Sequence, residues 1–217
     1  MMIQTYELKL AHYSLYTFII GAILGLTAVF MIGNLPPTTE SAQWAEVVSS
    51  KAYITSYYLL AYAFLLPIPG FWAIHRLFSK DKKTFTVSFF GMILAILGSA
   101  LPMMTMGVTA FAYPALVKMP LYQAGDIITF ISNIFMPDTM IFLLFSGFYY
   151  LIGLILLGIV LWKEKKLSLR IASIALIAHA FLIILPELMI INLLSWFFLL
   201  LSSALLVIYS KKYSAHL

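Results

Sequence analysis

LSLRIASIALIAHAFLIILPE, residues Leu167 to Glu187, is the stretch on which the fold turns. It is an apolar run with a basic cluster, Lys163, Lys165, Lys166 and Arg170, at its front. Pro186 and Glu187 stop it, and one ionisable residue, His179, sits inside it. At a helical rise of 1.5 Å per residue, His179 lies about 18 Å from Leu167 and about 12 Å from Glu187. Both distances place it deep in a hydrocarbon layer about 30 Å thick. A titratable group at that depth costs free energy unless it faces other helices or a wet cavity, which makes it a candidate functional residue.

Working outward, the whole chain has the same character. Of 217 residues, 63% are hydrophobic and 10% are charged, and the mean hydropathy is +1.03. Soluble domains carry about 25% charged residues, so this chain lacks the polar coat that water requires. The length allows about six or seven membrane helices with short loops. With no cysteine, disulfides, thiolate metal sites, iron–sulfur clusters and cysteine nucleophiles are excluded together. The net charge of +5 is confined to short clusters between apolar runs, where it orients spans and does not mark a nucleic-acid surface.

The pattern predicts an all-α transmembrane bundle of six spans in a single domain over residues 1–217. The spans fall at about residues 11–33, 52–74, 84–112, 138–162, 167–186 and 189–209, with outer connectors at 34–51 and 113–137. Polar residues Gln4, Glu7 and Lys9 precede the first run, which is too long for a leader and reads as a span. In span two, Pro67-Ile68-Pro69-Gly70 implies a kink or break. Pro102 implies a kink in span three, and His75 to Lys83 reads as a basic loop. Residues 127–135 are apolar but too short to cross, and read as re-entrant or interfacial. Gly21 and Gly25 in span one, and Gly91 with Gly98 in span three, are expected to let helices approach closely.

Charge sets the expected orientation. The side holding the N-terminus, the 75–83 loop, the 163–170 turn and the C-terminal tail carries eleven Lys or Arg and three Asp or Glu. The other side carries two and five. Both termini are therefore expected in the cytoplasm, which requires an even number of spans.

From Tyr150 to Leu182, a glycine-bearing apolar helix, a short basic turn and an alanine-rich helix follow one another. This layout resembles a group of bacterial six-span membrane proteins of unknown function. The resemblance implies a prokaryotic inner membrane setting and the same architecture. It carries no activity or site residues with it.

His179 leads the candidate chemistry. An imidazole there suits a metal, a haem iron or a proton relay; the plainer alternative is a packing bond to a serine, tyrosine or carbonyl of the next helix. A bis-histidine haem site needs a second histidine at similar depth, and His12, His75 and His216 all read nearer the cytoplasmic surface. His12 and His75 are close enough in register to face each other there. Glu187 and Asp138, with Asp126, Glu40 and Glu46, form an expected acidic outer rim. Tyr57, Tyr58 and Tyr62 on the kinked second span, with Tyr53 and the aromatics of span four, suit a lipid-like ligand or, more simply, an interfacial belt. Met103, Met104 and Met106 offer thioethers to Cu(I), or fill a core. No catalytic residue and no metal site is assigned, no cofactor is identified, and the familiar nucleotide, zinc-protease and serine-hydrolase motifs are absent.

The expected function is that of a non-catalytic inner-membrane protein: an accessory or interaction subunit, or a binder of a small lipid-like ligand within the bundle. Its partners would be the lipid bilayer, such a ligand or another membrane protein, with no nucleic acid. The alternative is an intramembrane enzyme or redox protein using His179 with the acidic rim. A small transporter is a weaker third reading, because only span two is visibly broken.

Overall fold

The computed structural model describes residues 2–33, 46–117, 136–185 and 189–214, and among these no strand occurs. The helices are α1 (Met2–Ile32), α2 (Lys51–Leu65), α3 (Pro67–Phe78), α4 (Lys82–Val117), α5 (Met136–Lys163), α6 (Leu167–Leu182) and α7 (Met189–Ser214). Five segments are long and apolar enough to cross a membrane: Tyr6–Ile32, Lys51–Phe78, Lys82–Ala112, Leu144–Lys163 and Met189–Lys211. By length and composition the chain is a multi-pass membrane protein. Helix α6, apolar but only 16 residues long, falls short of the length of those five segments.

Local chemistry explains the boundaries. Ser50 caps α2 by accepting the Tyr53 N–H at 3.1 Å. Leu66 is the joint of the broken second segment, and Pro67 opens α3 at a position where its missing N–H costs nothing. The break therefore falls ahead of Pro67 and the helix resumes through Pro69-Gly70. Asp81 and Thr84 cap α4 reciprocally: Thr84 N–H donates to the Asp81 carboxylate at 2.7 Å and Asp81 N–H to the Thr84 hydroxyl at 3.1 Å. This N-terminal hydrogen bond, ahead of smaller contributions that include Lys163, holds the Asp81 carboxyl below its ordinary value.

One expectation is corrected. The loop expected from His75 is helical through Phe78, so His75 is a buried helix residue at the basic end of α3. Helix α4 is continuous through both Pro102 and Pro114 to Val117, and its apolar span covers Lys82–Ala112. The 127–135 segment, most of the 34–51 connector and Glu187 lie outside the described residues.

Each helix packs on its neighbours in sequence, and α7 returns to close against α1. The contacts pair rising with falling numbers. Gly98 meets Tyr150 and Gly91 meets Leu157 across α4 and α5; Ser173 meets Gly158 across α6 and α5. Ser202 meets Ala172 across α7 and α6, and His12 meets Ser210 across α1 and α7. Neighbours are therefore antiparallel throughout, and the start of α1 and the end of α7 share one end of the molecule. The same end holds the Glu7–Arg76 and Lys80–Glu164 ion pairs.

Glycine sets the closest approaches. A Cβ on Gly98 would lie 2.3 Å from the Tyr150 backbone nitrogen, and one on Gly153 would lie 2.4 Å from that of Ala95. On Gly25 it would meet the Trp196 indole at 2.2 Å, and on Gly70 the Phe18 ring at 1.9 Å. Gly21 and Gly91 are closely covered as well, with first neighbours Pro67 Cδ and Leu156 Cβ at 3.0 Å. Backbones thus touch where α4 meets α5, while at Gly25 and Gly70 the missing side chain leaves room for an aromatic ring.

Candidate functional site

The middle of the molecule is built from aromatic rings supplied by successive helices. Phe18 of α1 meets Phe71 of α3 at 5.2 Å between centroids, and Phe71 meets Tyr150 of α5 at 6.2 Å. Phe64 of α2 touches both Tyr150 and Trp196 of α7, at 6.1 and 5.4 Å. His179 of α6 completes the group, 5.3 Å from Trp196 and 5.7 Å from Tyr150. All six are buried. Offset and edge-on contacts of this kind add to the burial of the rings themselves.

His179 is fully buried and bonded at every polar atom. Its Nδ1 lies 2.9 Å from the Ser195 carbonyl oxygen, which can only accept, so Nδ1 carries the proton. Nε2 is then an acceptor, and the Tyr150 hydroxyl donates to it at 3.0 Å. The Ser195 hydroxyl stands 2.9 Å from Nδ1 and donates to the His179 carbonyl at 3.1 Å. One imidazole thus ties α5, α6 and α7 together. Neighbouring serines extend the fastening: Ser173 donates to the Gly158 carbonyl and Ser202 to the Ala172 carbonyl, each at 2.8 Å.

The other two described histidines repeat the pairing at the basic end. His12 Nδ1 lies 2.7 Å from the Ser210 hydroxyl, joining α1 to α7. His75 Nδ1 lies 2.8 Å from the Ser88 hydroxyl, joining α3 to α4, with Phe85 edge-on at 4.8 Å. The expected facing of His12 and His75 is corrected, since each is bonded into a different helix interface. Among the described residues no cluster of three or more His, Asp or Glu is arranged to hold a metal.

The second-span tyrosines point in different directions. Tyr57 stacks on Tyr53 at 4.5 Å, Tyr58 meets Phe111 of α4 at 5.1 Å, and Tyr62 is 55% exposed. They do not converge on the His179 group. Met103 and Met106 pack against the core while Met104 is exposed. Glu187 lies outside the described residues and only the backbone of Asp138 is described, at the start of α5.

The sequence reading missed Ser195 and Trp196, and did not single out Tyr150 from its aromatic neighbours. One signal was available for Tyr150: it stands 13 residues before the end of α5, and His179 stands 12 after the start of α6. In a tight antiparallel hairpin those positions fall at equal depth. Ser99, buried beside Gly98, is the one hydroxyl in this region left without a hydrogen-bond partner among the described residues. No family model, curated protein or solved structure matches this chain.

Proposed function

We propose that this is a non-catalytic, six-span protein of a prokaryotic inner membrane, with both termini cytoplasmic, that acts as an accessory or interaction subunit. The observation that carries the reading is the state of His179. Both ring nitrogens are engaged by groups of the chain itself, which leaves no free lone pair on the imidazole for a metal or an added ligand. Five buried rings fill the space around it, which disfavours a lipid-like molecule at that level.

Three features support six crossings. Neighbouring helices alternate in direction. Helix α6 spans about 24 Å by itself, and the turn residues Ile183, Ile184 and Leu185 extend it with apolar side chains. The basic turns and both described chain ends gather at one end, as the positive-inside rule requires of a cytoplasmic face. An interaction role is supported by α4, whose span is the least buried of the five and turns Phe85, Phe89, Phe90, Ile93 and Leu97 outward.

Purification in mild detergent, with an absorbance spectrum and native mass spectrometry, tests the role. A stoichiometric second protein is the expected result. A Soret band would replace this reading with the redox one, and a retained small molecule lost on His179→Gln would replace it with the binder. Reporter fusions after Lys83, Lys166 and Lys212 should signal cytoplasm, and those near Ser41 and Gln123 the outside. A cytoplasmic signal at Gln123 would rule out six spans.

A further inference from the structure

We infer that the α3–α4 and α5–α6 turns together form a headgroup site for an anionic phospholipid, whose chains lie on the outward faces of α5 and α6. The inference rests on the chain being embedded in a membrane, and not on its having a protein partner.

The two turns are far apart in sequence but joined in space by the Lys80–Glu164 ion pair. Of the two acidic residues of the patch, Glu164 pairs with Lys80, and Asp81 caps α4 through the Thr84 N–H and keeps its charge near Lys163. Around them Lys82, Lys83, Lys163, Lys165 and Lys166 are exposed, and among the described residues none of these forms an ion pair. The result is a compact surplus of positive charge at the end of two adjoining hairpins.

Two details exceed what a simple topology signal needs. Lys165 has φ 54°, the left-handed region, in the turn that ends α5, where its N–H reaches back to the Trp162 carbonyl. Glycine is the usual residue there, because a Cβ is strained in that conformation. The chain retains a charge at a place where glycine would fold more easily. Arg170 holds its guanidinium over the Trp162 ring, 5.2 Å from the centroid, and its Nε is buried with no hydrogen-bond partner among the described residues. A planar guanidinium fixed on an indole is prearranged for a phosphate oxygen pair.

The surroundings supply the lipid's other half. Trp162 is half-exposed at the level where indoles meet headgroups. Directly beyond it Ile159 of α5 and Ile171 and Ile174 of α6 are exposed and apolar. Phosphate recognised by Arg and Lys, beside an interfacial indole and above an aliphatic face, describes a phospholipid better than a soluble anion. Each lysine or arginine at such a surface strengthens attraction for an anionic lipid by about fivefold.

The test uses the full chain in lipid-free detergent, titrated with phosphatidylglycerol or phosphatidylethanolamine and read by native mass spectrometry and thermal melting. Phosphatidylglycerol should be retained in preference. The triple change Lys163→Gln, Lys166→Gln, Arg170→Gln should weaken that retention by about 100-fold. Lys165→Gly should raise the melting midpoint without lipid and lower phosphatidylglycerol retention by about fivefold; it relieves strain, so it serves even if the triple variant does not fold. Equal retention by wild type and Lys165→Gly, or by the folded triple variant, would overturn the site. Equal stabilisation by inorganic phosphate would overturn the lipid as occupant. A chain absent from the membrane fraction would defeat the embedded reading, an outcome distinct from loss of headgroup preference in an inserted chain.

Discussion

Two histidine–serine groups, at the centre of the molecule and at its basic end, use the same side chains in different ways. His179 has no exposed surface, and its ring bonds Tyr150 and Ser195 on two other helices. His75 is 8% exposed and is fastened within one hairpin by Ser79 and Ser88. Those two serines are 2.5 Å from each other, and each also donates to a backbone carbonyl of its own helix. The end group therefore shares its bonds among several serines, while at the centre Nε2 has Tyr150 as its one partner, in a setting where no solvent can replace it. Depth, more than residue type, sets how far the fold depends on such a group.

If the centre depends on unreplaceable close contacts, the largest loss should come from the glycines that admit them. Gly98→Leu should cost about 3 kcal/mol, because its Cβ would already overlap the Tyr150 backbone and neither helix can yield without moving the His179 group. Gly147→Ala on α5 is the control: its Cβ would make ordinary contact with Ile184 at 3.5 Å, and helix propensity should offset any cost to within about 1 kcal/mol. Thermal midpoints in one detergent decide it. Equal midpoints would mean that glycine does not set the spacing of α4 and α5.

The next effect in size contrasts the two histidines directly. His179→Leu leaves Tyr150 without its acceptor in an apolar setting and should cost about 1–3 kcal/mol, or nearer 0.6 if neighbouring helices find substitute bonds. His75→Leu should cost less, since Ser79 and Ser88 keep their other partners. His179→Gln should recover part of the loss, as an amide can still bond. A larger loss at His75 than at His179 would contradict the role given to depth.

The smallest effect belongs to the surface cap of α4. Asp81 has a folded pKa below its ordinary 3.8, so its contribution is present above 3.8 and is lost as pH falls through the depressed folded value. Asp81→Asn should therefore lower the midpoint slightly at neutral pH and leave it unchanged in strong acid. A mutant deficit that persisted at the acid end would assign the effect to something other than the carboxylate charge.

The sequence made some of this legible and hid the rest. Hydrophobic runs with basic breaks marked where each helix lies but not its ends, since α1 begins at Met2 and α4 runs to Val117; a chain in lipid must satisfy its backbone internally, so the apolar runs are helical. Prolines were legible only in part. Pro67 does end a helix, but Pro102 and Pro114 are carried within α4, where neighbours decide whether a freed carbonyl is tolerated. His75 looked like a loop residue because of the lysines after it, and only Ser79 at the end of its own helix and Ser88 on the next show why it is buried. For His179 the depth was readable and the partners were not. Ser195 is an unremarkable serine in α7 until the ring of helices closes.

Composition and the spacing of charges, 63% hydrophobic with the charged residues gathered in turns and near helix ends, determined a helical membrane protein and the rough place of each helix, since both follow from transferring single segments out of water. What that one deep histidine does was decided by tertiary structure. The energy of a buried imidazole depends on which groups stand within 3 Å of it, and those are set by the register of α5, α6 and α7. That register in turn rests on backbones brought together by glycines whose partners lie more than fifty residues away, as Gly98 and Tyr150 do.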